Sequence, residues 1–99
     1  MSLAPKRLTA TSIAVLPDGS VAHAVVDIAQ RAYARWYSDG AWSPWWAVAS
    51  SAADVSVAGA SVESADVAYV SVAFVEHGDV VGTPGVYALS ASGVSGTSL

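Results

Sequence analysis

Cysteine and asparagine are both missing from this 99-residue chain. Without cysteine there can be no disulfide, no thiolate metal site and no cysteine nucleophile. Without asparagine there is no N-glycosylation acceptor. Cations are scarce: Lys6, Arg7, Arg31 and Arg35 make up the entire complement, and the formal net charge is -4. No basic stripe can be assembled from so few groups, so nucleic acid is not an expected partner. Charged residues are 12% of the chain and hydrophobic ones 54%. Even so, no run approaches the roughly 18 uninterrupted apolar residues of a membrane helix, and no membrane span is expected.

The usual signatures of catalysis are missing as well. The chain has no G-x-S-x-G elbow, no glycine-rich phosphate loop leading into a helix and no carboxylate pair in a recognisable setting. An enzyme is therefore not expected, nor is a cofactor. His23 and Asp27 share a strand face but lie about 13 Å apart by strand rise, too far to share a metal or a proton. The closer group Glu76, His77 and Asp79 reads as a solvated polar turn, so no metal is expected there either. The N-terminal segment MSLAPKRLTATSIAVLPDG resembles a signal peptide only superficially. It is broken by Thr and Ser and runs into a turn, so cytoplasmic synthesis is the expectation, with association with a virion as one destination.

What is present reads as strands. Leu8 to Leu16 is rich in Thr, Ile and Val, and Pro17-Asp18-Gly19-Ser20 turns the chain into a second strand, Val21 to Ile28. Ala32 to Tyr37 and Trp42 to Ala49 form a hairpin across Ser38-Asp39-Gly40, because Asp-Gly supplies the positive φ angles that a tight turn needs. Ser50 to Ala53 reads as a linker, Asp54 to Gly59 as a strand, and Gly59-Ala60-Ser61 as a turn or bulge. Val67 to Glu76 is the strongest strand signal. Val80-Val81 pairs briefly, Thr83-Pro84-Gly85 leads into Val86 to Ala91, and the Gly/Ser-rich end reads as a flexible tail over 94–99. The sequence thus predicts one all-β domain over 1–99. Strands apolar on both sides, on so small a body, call for cover by another chain.

A faint internal repeat runs through these strands. Ser12-Ile13-Ala14-Val15 is echoed by Ser56-Val57-Ala58, Val21-Ala22-His23-Ala24 by Val67-Ala68-Tyr69-Val70, and Tyr33-Ala34 by Tyr87-Ala88. A period of roughly 40 to 50 residues with several strands per unit is the signature of propeller blades. The units fall at about 8–50 and 54–93.

All four tryptophans lie between Tyr33 and Ala49. There, Arg35-Trp36, Asp39-Gly40 and Trp42-Ser43-Pro44-Trp45 resemble the third-to-fourth-strand segment of tectonin-like β-propeller lectins, in which an RW, a DG turn and a WSxW recur in each blade. The resemblance covers Ile13 to Ala49, with a degraded second copy from Asp54 to Gly93 in which Ser92-Gly93 stands in for the turn and the WSxW is absent. Such lectins carry several blades in one chain, whereas this chain has room for two. The resemblance therefore implies antiparallel sheets forming two blade-like units, with the propeller completed by oligomerisation, for instance as a trimer. The alternative is a single β-sandwich of seven or eight strands.

Two functions follow as expectations. The first is a non-catalytic recognition module that binds a surface glycan through the Trp-rich hairpin, with Arg35, Trp36, Asp39, Trp42 and Trp45 as contacts. Aromatic faces cover the C–H face of a sugar while polar neighbours bond its hydroxyls. The second is a structural subunit of a large assembly such as a bacteriophage virion, as a decoration or tail component, in which the same aromatics cement protein contacts.

Overall fold

A computed structural model describes residues 4–62, 65–76, 79–80 and 85–97. It is all-β and contains no helix among the described residues. Strands β1 (Leu8–Val15), β2 (Val21–Asp27), β3 (Ala32–Ser38), β4 (Ala41–Trp42) and β5 (Trp46–Ala49) form one antiparallel sheet in the order β1-β2-β3, with β4 and β5 sharing the far side of β3. Strands β6 (Ala52–Val62), β7 (Ala65–Glu76), β9 (Gly85–Ser90) and β10 (Gly93–Thr97) form the second sheet in the order β6-β7-β9-β10, and the short β8 (Asp79–Val80) pairs with β7. Each sheet is an antiparallel meander, and the described residues close no barrel.

The sequence echoes fall on equivalent strands of the two meanders, β1 with β6, β2 with β7 and β3 with β9. In space β1 and β2 both lie against β6, β3 against β9 and β10, and β5 beside β10. One hydrogen bond ties β1 to β6, the Val57 amide donating to Ser12 Oγ at 3.1 Å. The whole is 41 × 32 × 18 Å. Two sheets about 10 Å apart with their outer side chains account for the shortest dimension.

Strand alternation explains the core. On β2 and β3 the even positions Ala22, Ala24, Ala32, Ala34 and Trp36 turn inward, where they meet Ala68, Val70, Val72 and Leu89 of the second sheet. Alanines on one side let the backbones approach closely, and the branched residues opposite fill the gap at interior density. The odd positions face outward. On β2 that outer side is only partly open, because Val25 sits in register between Thr11 and Tyr33 and is fully buried.

Several boundaries differ from expectation for identifiable reasons. Ser50 and Ser51 alone turn the chain, Ser51 at φ 56°, and β6 begins at Ala52. Gly59 does not turn the chain: β6 runs through it to Val62, and a Cβ there would come within 3.3 Å of Leu16 Cγ, so the glycine makes room for a core leucine. The expected flexible tail is instead a strand over most of its length. β10 pairs with β9 from Gly93↔Ser90 to Thr97↔Val86 and forms the edge of the second sheet. The stretch Trp42 to Ala49 is broken at Ser43–Trp45 into β4 and β5. The expected roles of His77, Gly78, Val81, Thr83 and Pro84 lie outside the described residues.

Candidate functional site

The Asp39-Gly40 turn has the backbone its sequence dictates. Ser38 pairs with Ala41, and the two residues between them take φ 52° and 79°, the mirror-image turn that matches strand twist. β4 ends after Trp42 because Pro44 has no N–H to give the ladder. Ser43 repairs the gap: its amide donates to the Trp36 carbonyl at 2.7 Å, and its hydroxyl accepts from the Trp36 amide at 2.9 Å and donates to the Pro44 carbonyl at 2.9 Å. This irregularity has a chemical consequence. Trp42 and Trp45, three residues apart, would point to opposite faces of a regular strand, but the break turns both rings onto the outer face of the first sheet.

There they enclose Arg35. The guanidinium carbon lies 3.9 Å from the ring centroid of Trp42 and 4.4 Å from that of Trp45. Arg35 Nε donates to His23 Nδ1 at 3.1 Å, and His23 Nε2 lies 2.8 Å from Thr11 Oγ1. Because the guanidinium can only donate, His23 Nδ1 must accept, and the neutral ring carries its proton on Nε2 and donates to Thr11. The imidazole also packs against Trp45 and Trp42, with centroids 5.5 and 6.0 Å apart, and Tyr37 meets Trp42 edge-on at 5.2 Å. Burial, then the Arg35 charge, hold the His23 pKa below its ordinary value of 6.5. The cluster is a ladder of Thr11, His23 and Arg35 across three strands, roofed by two indoles.

The other two candidate residues lie elsewhere. Trp36 follows Arg35 in the chain and so faces the opposite way, into the core, with 4% of its surface exposed. Its remaining surface and Asp39 line a cleft of about 520 Å³ at one end of the molecule, together with Asp18, Gly19, Ser20, Ser38, Ser90, Ala91 and Ser92. Three turns build it, those between β1 and β2, β3 and β4, and β9 and β10. The first is held by the Ser20 amide donating to Asp18 Oδ1 at 2.8 Å, and the third by the Ser92 amide donating to Ser90 Oγ at 3.2 Å. The structure thus joins Arg35, Trp42 and Trp45 on a sheet face and Trp36 with Asp39 in a cleft.

Sequence reasoning did not select Thr11 and His23, whose pairing needs the β1–β2 and β2–β3 registers. Nor did it select the serines of the cleft, which come from turns far apart in the chain. Among the described residues no group of three or more His, Asp or Glu side chains is placed to hold a metal ion, and His77 lies outside them. Compared with known proteins, the chain matches no family model, no curated protein and no solved structure.

Proposed function

We propose that this chain is a non-catalytic recognition module that binds a neutral carbohydrate in the cleft between its sheets. The observation that carries the reading is the composition of the cleft: two aspartates, four serines and the surface of Trp36 converge on a space of about 520 Å³. That volume suits a small ligand of one or a few rings. Hydroxyls and carboxylates match the alternating donors and acceptors of a sugar, while two carboxylates disfavour acidic sugars by like-charge repulsion. Nothing about such binding requires a reactive group, and none is assigned.

The test is a glycan array followed by calorimetry on the best neutral ligand, with Asp39→Asn and Ser38→Ala beside the wild type. Asn tolerates the positive φ of Asp39, so the substitution removes the carboxylate and leaves the turn. A loss of about tenfold or more in affinity with an unchanged melting temperature supports the cleft. Undiminished binding by Asp39→Asn, or no binding of any glycan by the wild type, overturns it.

A second reading, a structural subunit of a larger particle such as a phage virion, draws on a different observation. Ile13, Val15 and Trp42 are 61%, 72% and 41% exposed along the first sheet's outer face. Under either reading the two meanders are blade-like units of a propeller that further copies complete. The placement of the sequence echoes on equivalent strands of the two meanders supports that arrangement. Copies of itself, as in a trimer, are then the first partners, and the solution mass of the untagged chain decides between the architectures.

A further inference from the structure

We infer that Asp39-Gly40 is a site of spontaneous covalent modification, at which Asp39 isomerises to isoaspartate, while Asp18-Gly19, the other Asp-Gly of the same cleft, is protected. The modification is independent of what the cleft binds, and only its consequence for ligand affinity rests on the reading above. Glycine after aspartate suits the chemistry because it has no side chain to obstruct its own amide nitrogen as that nitrogen attacks. With the Asp39 carboxyl in its acid form, the Gly40 nitrogen bonds to Cγ, the amide proton passes to solvent, and the carboxyl hydroxyl takes up a proton and leaves as water. Water then opens the cyclic imide. Breaking the bond from nitrogen to Cγ restores aspartate. Breaking the bond from nitrogen to the Asp39 carbonyl carbon leaves the chain running through Cβ and Cγ, with a free carboxylate on Cα. Nothing is oxidised or reduced, and the mass is unchanged.

The two dipeptides stand in opposite surroundings. In the β1–β2 turn both reacting groups are engaged: Asp18 Oδ1 accepts the Ser20 amide at 2.8 Å, and the Gly19 amide donates to the Leu16 carbonyl at 2.9 Å. The Leu16 amide closes that turn again by donating to the Ser20 carbonyl at 2.8 Å, and Leu16 and Ser20 are both buried. In the β3–β4 turn Asp39, Gly40 and Ala41 are all exposed. Neither the Asp39 carboxylate nor the Gly40 amide has a hydrogen-bond partner among the described residues. Ring closure requires the peptide between Asp39 and Gly40 to rotate. Behind it stand only Ser38↔Ala41 and Tyr37↔Trp42 before the strand breaks, whereas the β1–β2 turn is backed by a ladder from Val15↔Val21 to Leu8↔Asp27. Local opening is therefore easier at Asp39. Isomerisation would add a backbone carbon to the turn that joins Ser38 to Ala41 and move the carboxylate onto Cα. Ser38 and Asp39 both line the cleft, so its edge would change shape.

The test uses the wild-type chain. One sample is held at physiological temperature in mildly acidic buffer in which circular dichroism shows it folded, and a second is held in denaturant. Both are then digested, and isoaspartate is located by electron-transfer fragmentation of the peptides. In the folded sample isoaspartate should accumulate at Asp39 in about tenfold excess over Asp18, because the Asp18 and Gly19 hydrogen bonds must open before that pair can react. In denaturant the two should react nearly alike. Isoaspartate at neither residue of the folded chain, equal amounts at both, or an excess that persists unchanged in denaturant overturns the assignment. Chains carrying isoaspartate at Asp39, separated by ion exchange, should bind the best neutral glycan severalfold more weakly than fresh protein. Full affinity in that fraction would overturn the cleft reading and leave the modification standing.

Discussion

Replacing Arg35 by Met isolates what the guanidinium contributes between its two indoles, because Met keeps the apolar stem and removes the charge and the planar head. At 3.9 and 4.4 Å from the ring centroids, both indoles are within cation–π range. Trp42 is 41% exposed, so its contact belongs near the low end, about 0.5 kcal/mol, and the more sheltered Trp45 nearer 1 kcal/mol. The Arg35 to His23 bond at 3.1 Å adds about 1 kcal/mol for a half-buried donor. Arg35→Met should therefore cost about 2 to 3 kcal/mol. In urea, with a slope near 1 kcal/mol per M for a domain this small, the midpoint should fall by about 2 M. Protein concentration must be held fixed, since self-association would add to apparent stability. The sharper measurement is a double-mutant cycle with Trp42→Ala. Contact predicts a coupling of about 0.5 to 1 kcal/mol, and a coupling indistinguishable from zero refutes the clamp even if each single substitution is destabilising.

His23 supplies a pH test of the same cluster. Its folded pKa lies below 6.5, so between that folded value and 6.5 the unfolded chain binds more protons than the folded one. Stability should be full above about pH 6.5 and decline as pH falls through the folded pKa. Tryptophan emission, quenched as a nearby imidazole becomes charged, should titrate with a midpoint below 6.5, and His23→Gln should abolish the step. Asp27 is buried and accepts the amides of Lys6, Ala29 and Arg31 at 3.0, 3.0 and 3.1 Å. Burial alone would raise its pKa, but those amides, with the Arg31 charge, outweigh it and leave the carboxyl below its ordinary 3.8. Its contribution should be lost as pH falls below about 3.8 and toward the folded value. Asp27→Asn should cost about 2 kcal/mol at neutral pH and flatten the acid limb of a melting-temperature profile. Gly40→Ala, forced to keep φ 79°, should cost about 1 kcal/mol by thermal melting, whereas Gly40→Asn should cost less.

The elements were legible wherever a local rule fixes them. Asp39-Gly40 names its turn because few other dipeptides hold two positive φ angles, and β7 names itself through valines and aromatics that recur along a run without Gly or Pro. Gly59 misled for a physical reason. A glycine in a strand signals either a turn or a close approach, and only the position of Leu16, just after β1, decides which. β10 was hidden because Gly-Val-Ser-Gly-Thr has little strand propensity of its own, and pairing with β9 decides its conformation. The outer cluster was half visible. Its arginine and tryptophans stand together in the sequence, but His23 and Thr11 join them only through registers that local pattern does not reveal.

The dipeptide Arg35-Trp36 shows why a compact motif need not be a compact site. Adjacent residues of a strand face opposite ways, so one enters the aromatic ladder and the other the core beside the cleft. Ser43 binds both arrangements to one backbone, fixing Trp36 through its amide and carbonyl while aligning the break that turns Trp42 and Trp45 onto Arg35. A flat face with a rigid, interlocked cation is suited to meeting another flat surface. It is less suited to wrapping a sugar, because Arg35 already covers one face of each indole. The cleft has the opposite character: concave, hydroxyl-rich and edged by turns. Substitutions at Trp42 and Trp45 should therefore alter assembly and stability while leaving cleft affinity near wild type, and Asp39→Asn should do the reverse. A parallel loss of both properties in either variant would mean that the two surfaces act as one.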